Sequence, residues 1–312
     1  MAAQHHDHGH DHHDHGHHHH APASFGTAFA VGTALNLGFV AVQVGYGIAA
    51  HSLALLADAA HNFGDVLGLL AAWWASILAR RAPSARRSYG AGRGTILASL
   101  ANAVVLLLGC GAIAVESVQR FADPAQVGGN TVMAVAALGI LINGATALMF
   151  MRGREHDLNI RGAFLHMAAD ALVSAGVVIA GLVISLTAWQ WLDPLTSLAI
   201  VAVIVAGTWG LLKESLHLAM DGVPNKVSLP DIEAALLTLP SVIEVHDLHV
   251  WSLSTTQIAL TAHLVCDGPE DPALLRAACT LVHDRFDIDH PTFQLESPEA
   301  AEACALRPAD VI

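Results

Sequence analysis

Two short stretches place chemically capable side chains where such groups are costly. "HNFGD" (61–65) lies inside "SLALLADAAHNFGDVLGLLAAWWASILA", and "HMAAD" (166–170) lies inside "AFLHMAADALVSAGVVIAGLVISL". Each sets a His four residues ahead of an Asp. On a helix that spacing brings both side chains onto one face. His61 with Asp65, and His166 with Asp170, thus each offer an imidazole and a carboxylate side by side. If the two faces meet, four donors of N₂O₂ type converge, a set suited to tetrahedral Zn²⁺. The carboxylates leave it open to Co²⁺, Cd²⁺ or Mn²⁺, since geometry and availability govern selectivity as much as affinity. One such pair is equally well an ordinary helix contact. Two of identical spacing inside apolar runs point instead to an ion path, because ionisable groups at membrane depth face a bundle interior. Asp58 shares the face of His61 and either widens that path or hydrogen-bonds to a neighbouring helix. Asn36, Asn102 and Asn143 read as interhelical hydrogen-bonding groups rather than ligands.

The elements that carry these pairs must cross a membrane. Of the 312 residues, 54% are hydrophobic and 13% charged, against roughly 25% charged in soluble domains. Apolar runs lie at about 25–49, 54–79, 95–118, 130–151, 162–186 and 191–212, and about 20 apolar residues suffice to span a bilayer. The expected fold is therefore an all-α transmembrane domain of six helices over residues 24–212. Arg80, Arg81, Arg86, Arg87 and Arg93 lie between the second and third runs. Arg152, Arg154 and Arg161 lie between the fourth and fifth, and Lys213 follows the sixth. The other side holds essentially Arg120 alone, so the positive-inside rule puts the basic loops and both termini in the cytoplasm.

The flanking regions differ in kind. Residues 1–20 contain eleven His, three Asp and two Gly. The interleaved Asp and Gly mark a native tail over residues 1–23 rather than an unbroken expression tag. Such a tract buries no core, is expected to be disordered, and binds borderline metals weakly through many imidazoles. It lacks the basic-then-apolar pattern of a secretory signal. Residues 213–297 read as a cytoplasmic α+β domain. "SLPDIEAALLTL" and "DPALLRAACTLVHDRF" have helical periodicity, while "VIEVHDLHVWSLS", "QIALTAHLVCD" and "HPTFQLES" alternate as strands. Helix–strand–strand–helix–strand in this order is of ferredoxin-like type. Residues 298–312 read as a flexible tail. From residue 213 onward 16 Asp/Glu outnumber 5 Lys/Arg, so the net charge of −13 resides mainly here. That balance argues against a nucleic-acid partner, which requires a basic face.

A second ligand set emerges from the strands. His246 and His263 fall on adjacent strands, and His290, Gln294 and Glu296 share one face of the last strand by alternation. A lone His on a strand is usually structural, but two His and a Glu from three neighbouring strands make a metal set. His249, three residues from His246, points to the opposite face. His283 lies on the second helix, where ligand and solvent-facing roles both stay open. Cys110, Cys266, Cys279 and Cys304 show no CxxC spacing, as in a reducing compartment rather than a disulfide scaffold.

These residues resemble a known family. Six spans with "HNFGD" in the second and "HMAAD" in the fifth look like the cation diffusion facilitator family of metal/proton antiporters. "SLALLADAAHN", "DLHVWSLS" and "FQLES" are most similar to its bacterial zinc–cobalt–cadmium efflux branch and to vesicular zinc transporters. The resemblance runs from about residue 25 to 297. It implies a homodimer in a lipid membrane and a transport site at His61, Asp65, His166 and Asp170, the zinc-type combination. It also implies regulatory Zn²⁺ in the cytoplasmic domain, matching at His246, His263 and Glu296, with His290 and His283 as further candidates from the residues alone. The chain also departs from the family. The loop "RRAPSARRSYGAGRG" holds no His or Asp, so no loop-borne site is expected, and Thr95 stands near the start of span three where a Glu is usual. The CxxC of the vesicular relatives is reduced to Cys304, so no two-thiolate tail site is expected.

Metal capture needs a neutral imidazole, so metal and proton compete for one nitrogen. An unperturbed His titrates near about pH 6.5, which puts that competition in the physiological range. The expected function is efflux of Zn²⁺, with Co²⁺ or Cd²⁺ as further cargo, in exchange for protons by alternating access. The acidic domain would sense the cytosolic load, and the His-rich tail would gather metal. A membrane-anchored metal sensor or a passive metal channel is the alternative, and proton coupling separates them. An enzyme is not expected: membrane metalloproteases need an HExxH-type pair and an open coordination position. The Ala-rich composition, without a long His loop between spans four and five, leans toward a bacterial inner membrane.

Overall fold

The computed structural model describes residues 27–79, 83–150, 158–268 and 271–307. The His-rich tail, Arg80, Arg81, Arg152 and Arg154 lie outside the described residues. The regular elements described in the first part are helices: α1 (Thr27–Ala49), α2 (Leu53–Ala79), α3 (Arg93–Arg120), α4 (Gly129–Phe150), α5 (Leu158–Thr187) and α6 (Leu192–Ala219). Among the described residues, four stretches are long and apolar enough to cross a membrane: Arg93–Arg120, Gly129–Leu148, Met167–Thr187 and Leu192–Ala219. The outer surface is what such helices require. Leu172 and Leu186 are 73% and 77% exposed and stand among many other outward-facing apolar side chains, an arrangement that lipid covers and water does not tolerate over large patches. Inside, Leu55, Val132, Val177 and Ile204 belong to one buried core shared by α2, α4, α5 and α6.

The helix that carries "HNFGD" is anchored from a distance. Ser52 accepts from Leu55 N (3.2 Å) and donates to Asp193 Oδ1 (2.5 Å), while Asp193 Oδ2 accepts from Leu53 N (2.7 Å). A buried carboxylate from the first turn of α6 thereby satisfies orphan donors at the start of α2 and complements its positive end. α6 runs seven residues past the expected boundary at 212. Hydropathy marks where the membrane ends, not where a helix ends. The stop comes from Asp221 in a left-handed conformation (φ 60°), with Gly222 N returning to His217 O at 2.9 Å, and Pro224 two residues on.

The second part comprises α7 (Leu229–Leu236), β1 (Val242–Ser252), β2 (Ile258–Cys266), α8 (Pro272–Phe286) and β3 (His290–Glu296). The order of elements is the one read from the sequence. Asp271 caps α8 by accepting from Ala273 N at 2.8 Å. Ser228 occupies the cap position of α7 without a side-chain bond. The strands form one sheet in the order β1-β2-β3, with β1/β2 antiparallel and β2/β3 parallel. The parallel pair needs a crossover, and α8 provides it. Ile232, Leu260, Leu264 and Val282 lie in the core between sheet and helices.

The two parts touch at the start of α3. Thr95 Oγ1 accepts from Thr255 N in the β1–β2 turn (3.0 Å), and Arg93 pairs with Asp221. At Gly92 a Cβ would stand 2.8 Å from Leu253 O, so this approach admits only glycine. Residues 298–307 differ from the expected flexible tail. Ser297 Oγ caps α9 (Pro298–Glu302) by accepting from Ala300 N at 3.2 Å, and Ala301 is fully buried. Arg307 then clamps Glu244 on β1 through Nε and Nη2 at 2.9 and 2.8 Å. A short helix whose stability rests on one buried alanine and one ion pair has little periodic signal in sequence.

Candidate metal centres

In the helical part, α2 and α5 bring three of the four sequence-predicted ligands together. His61 Nε2 lies 2.9 Å from Asp170 Oδ1 and 4.0 Å from Asp65 Oδ2. One donor atom from each of the three lies within 4.8 Å of the others. His166 is in α5, one turn ahead of Asp170, and its side chain lies outside the described residues. Access is graded: the Asp170 side chain is 3% exposed, His61 19% and Asp65 31%. One carboxylate is thus held inside the bundle while the other opens outward. Gly64, within the same motif, lets α3 close in, since a Cβ there would meet Leu106 Cδ2 at 2.8 Å. From α3, Asn102 Nδ2 reaches Gly64 O at 3.5 Å, the interhelical role expected of it.

Asp58 resolves toward the hydrogen-bonded alternative. It is fully buried, and its Oδ2 accepts from Gln43 Nε2 (2.7 Å) and, more weakly, from Ser174 Oγ (3.4 Å). Asn62 Nδ2 donates to Gln43 Oε1 at 2.9 Å. A polar thread therefore runs from α1 through α2 to α5, one turn from His61 and from Asp170. Sequence reading missed Gln43, Asn62 and Ser174. The signal was available for Gln43, an amide in the middle of the apolar run "FVAVQVGYG".

The second cluster lies on the sheet. His246 and His263 are direct register partners on β1 and β2, their rings 4.8 Å apart, and Glu296 on β3 reaches both. Glu296 Oε2 is 3.0 Å from His246 Nε2, and Oε1 is 3.0 Å from His263 Nδ1. Gln294 Nε2 donates to Oε1 at 2.7 Å. His246 and Glu296 are 8% and 6% exposed, so charged and polar atoms here are sheltered from water. Two residues that the sequence did not assign to this cluster join them. Asp247, at a break in the β1 register with φ 50°, sets Oδ2 3.6 Å from His263 Nε2. Cys304 Sγ lies 3.7 Å from His263 Nδ1.

Three other histidines stand apart. His290 shares a strand face with Glu296 but sits six positions away, about 20 Å at roughly 3.3 Å per residue. It is exposed, with its ring 6.1 Å from that of Tyr89. A shared face did not mean a shared site. His283 is exposed beside the buried Val282, and its carbonyl accepts from Asp287 N in the α8 cap. His249 points away to solvent, next to Asp247 Oδ1 at 2.9 Å.

Residues 29–218 match the family profile of the cation efflux transmembrane domain, and residues 224–298 match that of the cation efflux protein cytoplasmic domain. A "Cation efflux system protein CzcD" of Alcaligenes is 35% identical over 88% of each chain. A "Zinc transporter ZitB" of Pectobacterium atrosepticum is 35% identical over 83% of this chain and 81% of its own. A "Cadmium, cobalt and zinc/H(+)-K(+) antiporter" of Bacillus subtilis is 31% identical over 83% and 85%. With both domains matched in order and this similarity running along most of its length, the chain belongs to the cation efflux, or cation diffusion facilitator, family of multi-pass membrane proteins.

Proposed function

We propose that this protein exports divalent transition-metal ions from the cytoplasm, Zn²⁺ foremost and Co²⁺ or Cd²⁺ as further cargo, in exchange for protons. The observation that carries the reading is the meeting of His61, Asp65 and Asp170 from two helices, with donor atoms within 4.8 Å of one another. His166, one turn ahead of Asp170, supplies the fourth donor. Two imidazoles and two carboxylates hold Zn²⁺ well in a tetrahedral set. Each ligand must shed its proton to bind, so protons arriving from the far side displace the ion. The helical part is read as six spans with both termini cytoplasmic. Asp58, held by Gln43 and Ser174, fixes the relative placement of α1, α2 and α5 around the cargo.

The cytoplasmic domain is read as a ferredoxin-like arrangement without its first strand, so that β2 and β3 pair directly. His246, His263 and Glu296 suit a regulatory Zn²⁺: the donors are neutral imidazole and carboxylate, buried and mutually within reach. Zn²⁺ there would tighten a homodimer and signal a loaded cytosol through the Thr95–Thr255 contact with α3. Protons and metal ions, not nucleic acid, are the partners, the membrane is the bacterial inner membrane, and no enzymatic step is assigned.

The test is Zn²⁺ uptake into proteoliposomes under an imposed pH gradient. Uptake that follows the gradient and disappears in His61→Ala supports the reading. Undiminished uptake in that variant would refute it.

A further inference from the structure

We infer that Cys304 is the fourth ligand of the cytoplasmic metal site, supplied from the same protomer. The inference rests on the reading that His246, His263 and Glu296 hold a metal. Donor atoms of these three and the Cys304 sulfur all lie within 4.8 Å of one another. The sulfur is 3.7 Å from His263 Nδ1, the nitrogen that also faces Glu296 Oε1 at 3.0 Å. Three donors alone leave one tetrahedral position for water or for a donor from a second copy. The thiol closes it from within, giving the four-ligand set of a closed zinc site.

The placement of this sulfur is built. Ser297 caps α9, Ala301 buries against the sheet, and Cys304 N bonds to Ala301 O at 3.2 Å. Beyond it, Arg307 N bonds to Cys304 O at 3.3 Å and its guanidinium clamps Glu244 on β1. The thiol is therefore held between a cap and an ion pair, over the face where the imidazoles converge. Asp247 Oδ2 lies 3.6 Å from His263 Nε2, at ion-pair distance from the ring nitrogen that does not face Glu296 or Cys304.

Two consequences follow. The site becomes selective for soft and borderline ions, because thiolate favours Zn²⁺ and Cd²⁺ over Mn²⁺ and Mg²⁺. Metal also pins the C-terminal segment to the sheet, so loading is recorded in the position of residues 298–307.

Full-length protein in detergent micelles allows a direct test with Co²⁺ and Zn²⁺ alone. Bound Co²⁺ is expected to show a sulfur-to-cobalt charge-transfer band that is lost in Cys304→Ser; the imidazoles of the N-terminal tail contribute none. In the wild type, Zn²⁺ is expected to block alkylation of Cys304 by iodoacetamide, read by peptide mass spectrometry. Cys279 serves as the internal control and keeps its rate. Protection should vanish in His246→Ala. If Cys304 alkylates at the same rate with and without Zn²⁺ while His246→Ala still removes a bound metal, the thiol is not a ligand and the three-donor site stands. If His246→Ala removes no metal either, both readings fall.

Discussion

The two candidate metal clusters of this chain are built to opposite specifications. His61, Asp65 and Asp170 sit on long helices, with one contact at 2.9 Å, another at 4.0 Å, and Asp65 31% exposed. His246, His263 and Glu296 sit on three hydrogen-bonded strands, and both carboxylate–imidazole contacts are 3.0 Å. The first is loose, graded in exposure and made only of nitrogen and oxygen donors. The second is tight, sheltered and within reach of a sulfur. A site that must load and release an ion each cycle needs access and ligands that protons can reclaim. One that reports concentration needs retention. Strand register delivers the second kind because hydrogen-bonded pairing fixes which side chains stand together, whereas helices can rock against each other.

The contrast can be broken by substitution, and the largest effect falls in the membrane. Asp170→Ala removes the best buried donor and the 2.9 Å partner of His61, so gradient-driven Zn²⁺ uptake in proteoliposomes should fall to background. Glu296→Gln comes next. It takes the charge from the group that reaches both cytoplasmic imidazoles. Zn²⁺ affinity there should drop by at least about tenfold, roughly 1.4 kcal/mol, read by competition with a chromophoric chelator, while uptake at saturating Zn²⁺ persists. Equal loss of uptake in both variants would mean that the clusters do not divide the work as described.

Smaller effects test the scaffold. Gln43→Ala leaves Asp58 and Asn62 without their shared partner inside the bundle. Losing a buried partner costs on the order of 1–3 kcal/mol, so the thermal midpoint in detergent should fall with His61 and Asp170 chemically untouched. The smallest effect is at the tail. The hydrogen bonds from Arg307 hold the Glu244 carboxyl below its usual range. That pair therefore stabilises the fold above the ordinary glutamate range, and the contribution disappears as pH falls through the lowered value. Being exposed and screened by water, it contributes little. Arg307→Ala should lower the thermal midpoint slightly at neutral pH and not at all in acid.

Much of this was legible from residue type and spacing. Helical spacing placed His61 and Asp65 on one face, and strand periodicity put His246 and His263 on adjacent strands; that they stand directly opposite each other is a matter of register, which only the structure gives. What escaped was set by tertiary contact. The amide of Gln43 stands out in its apolar run, but nothing in the sequence says that Asp58 and Asn62 are its partners, and Cys304 was not placed with His246 and His263 because α9 exists only where Ala301 finds a pocket. His290 was misplaced because alternation reports which face a residue takes, not how far along the strand it stands. The end of α6 was misjudged because Lys213 and Glu214 end an apolar run without ending a helix.

In the proposed exchange, metal moves one way because protons move the other through the helical cluster. Zn²⁺ and proton fluxes should be recorded together in proteoliposomes holding wild type or Asp65→Ala. Opposite, coupled fluxes are expected in the wild type, both lost in the variant. Zn²⁺ flowing down its own gradient with no proton counterflow, or binding without movement, would contradict it.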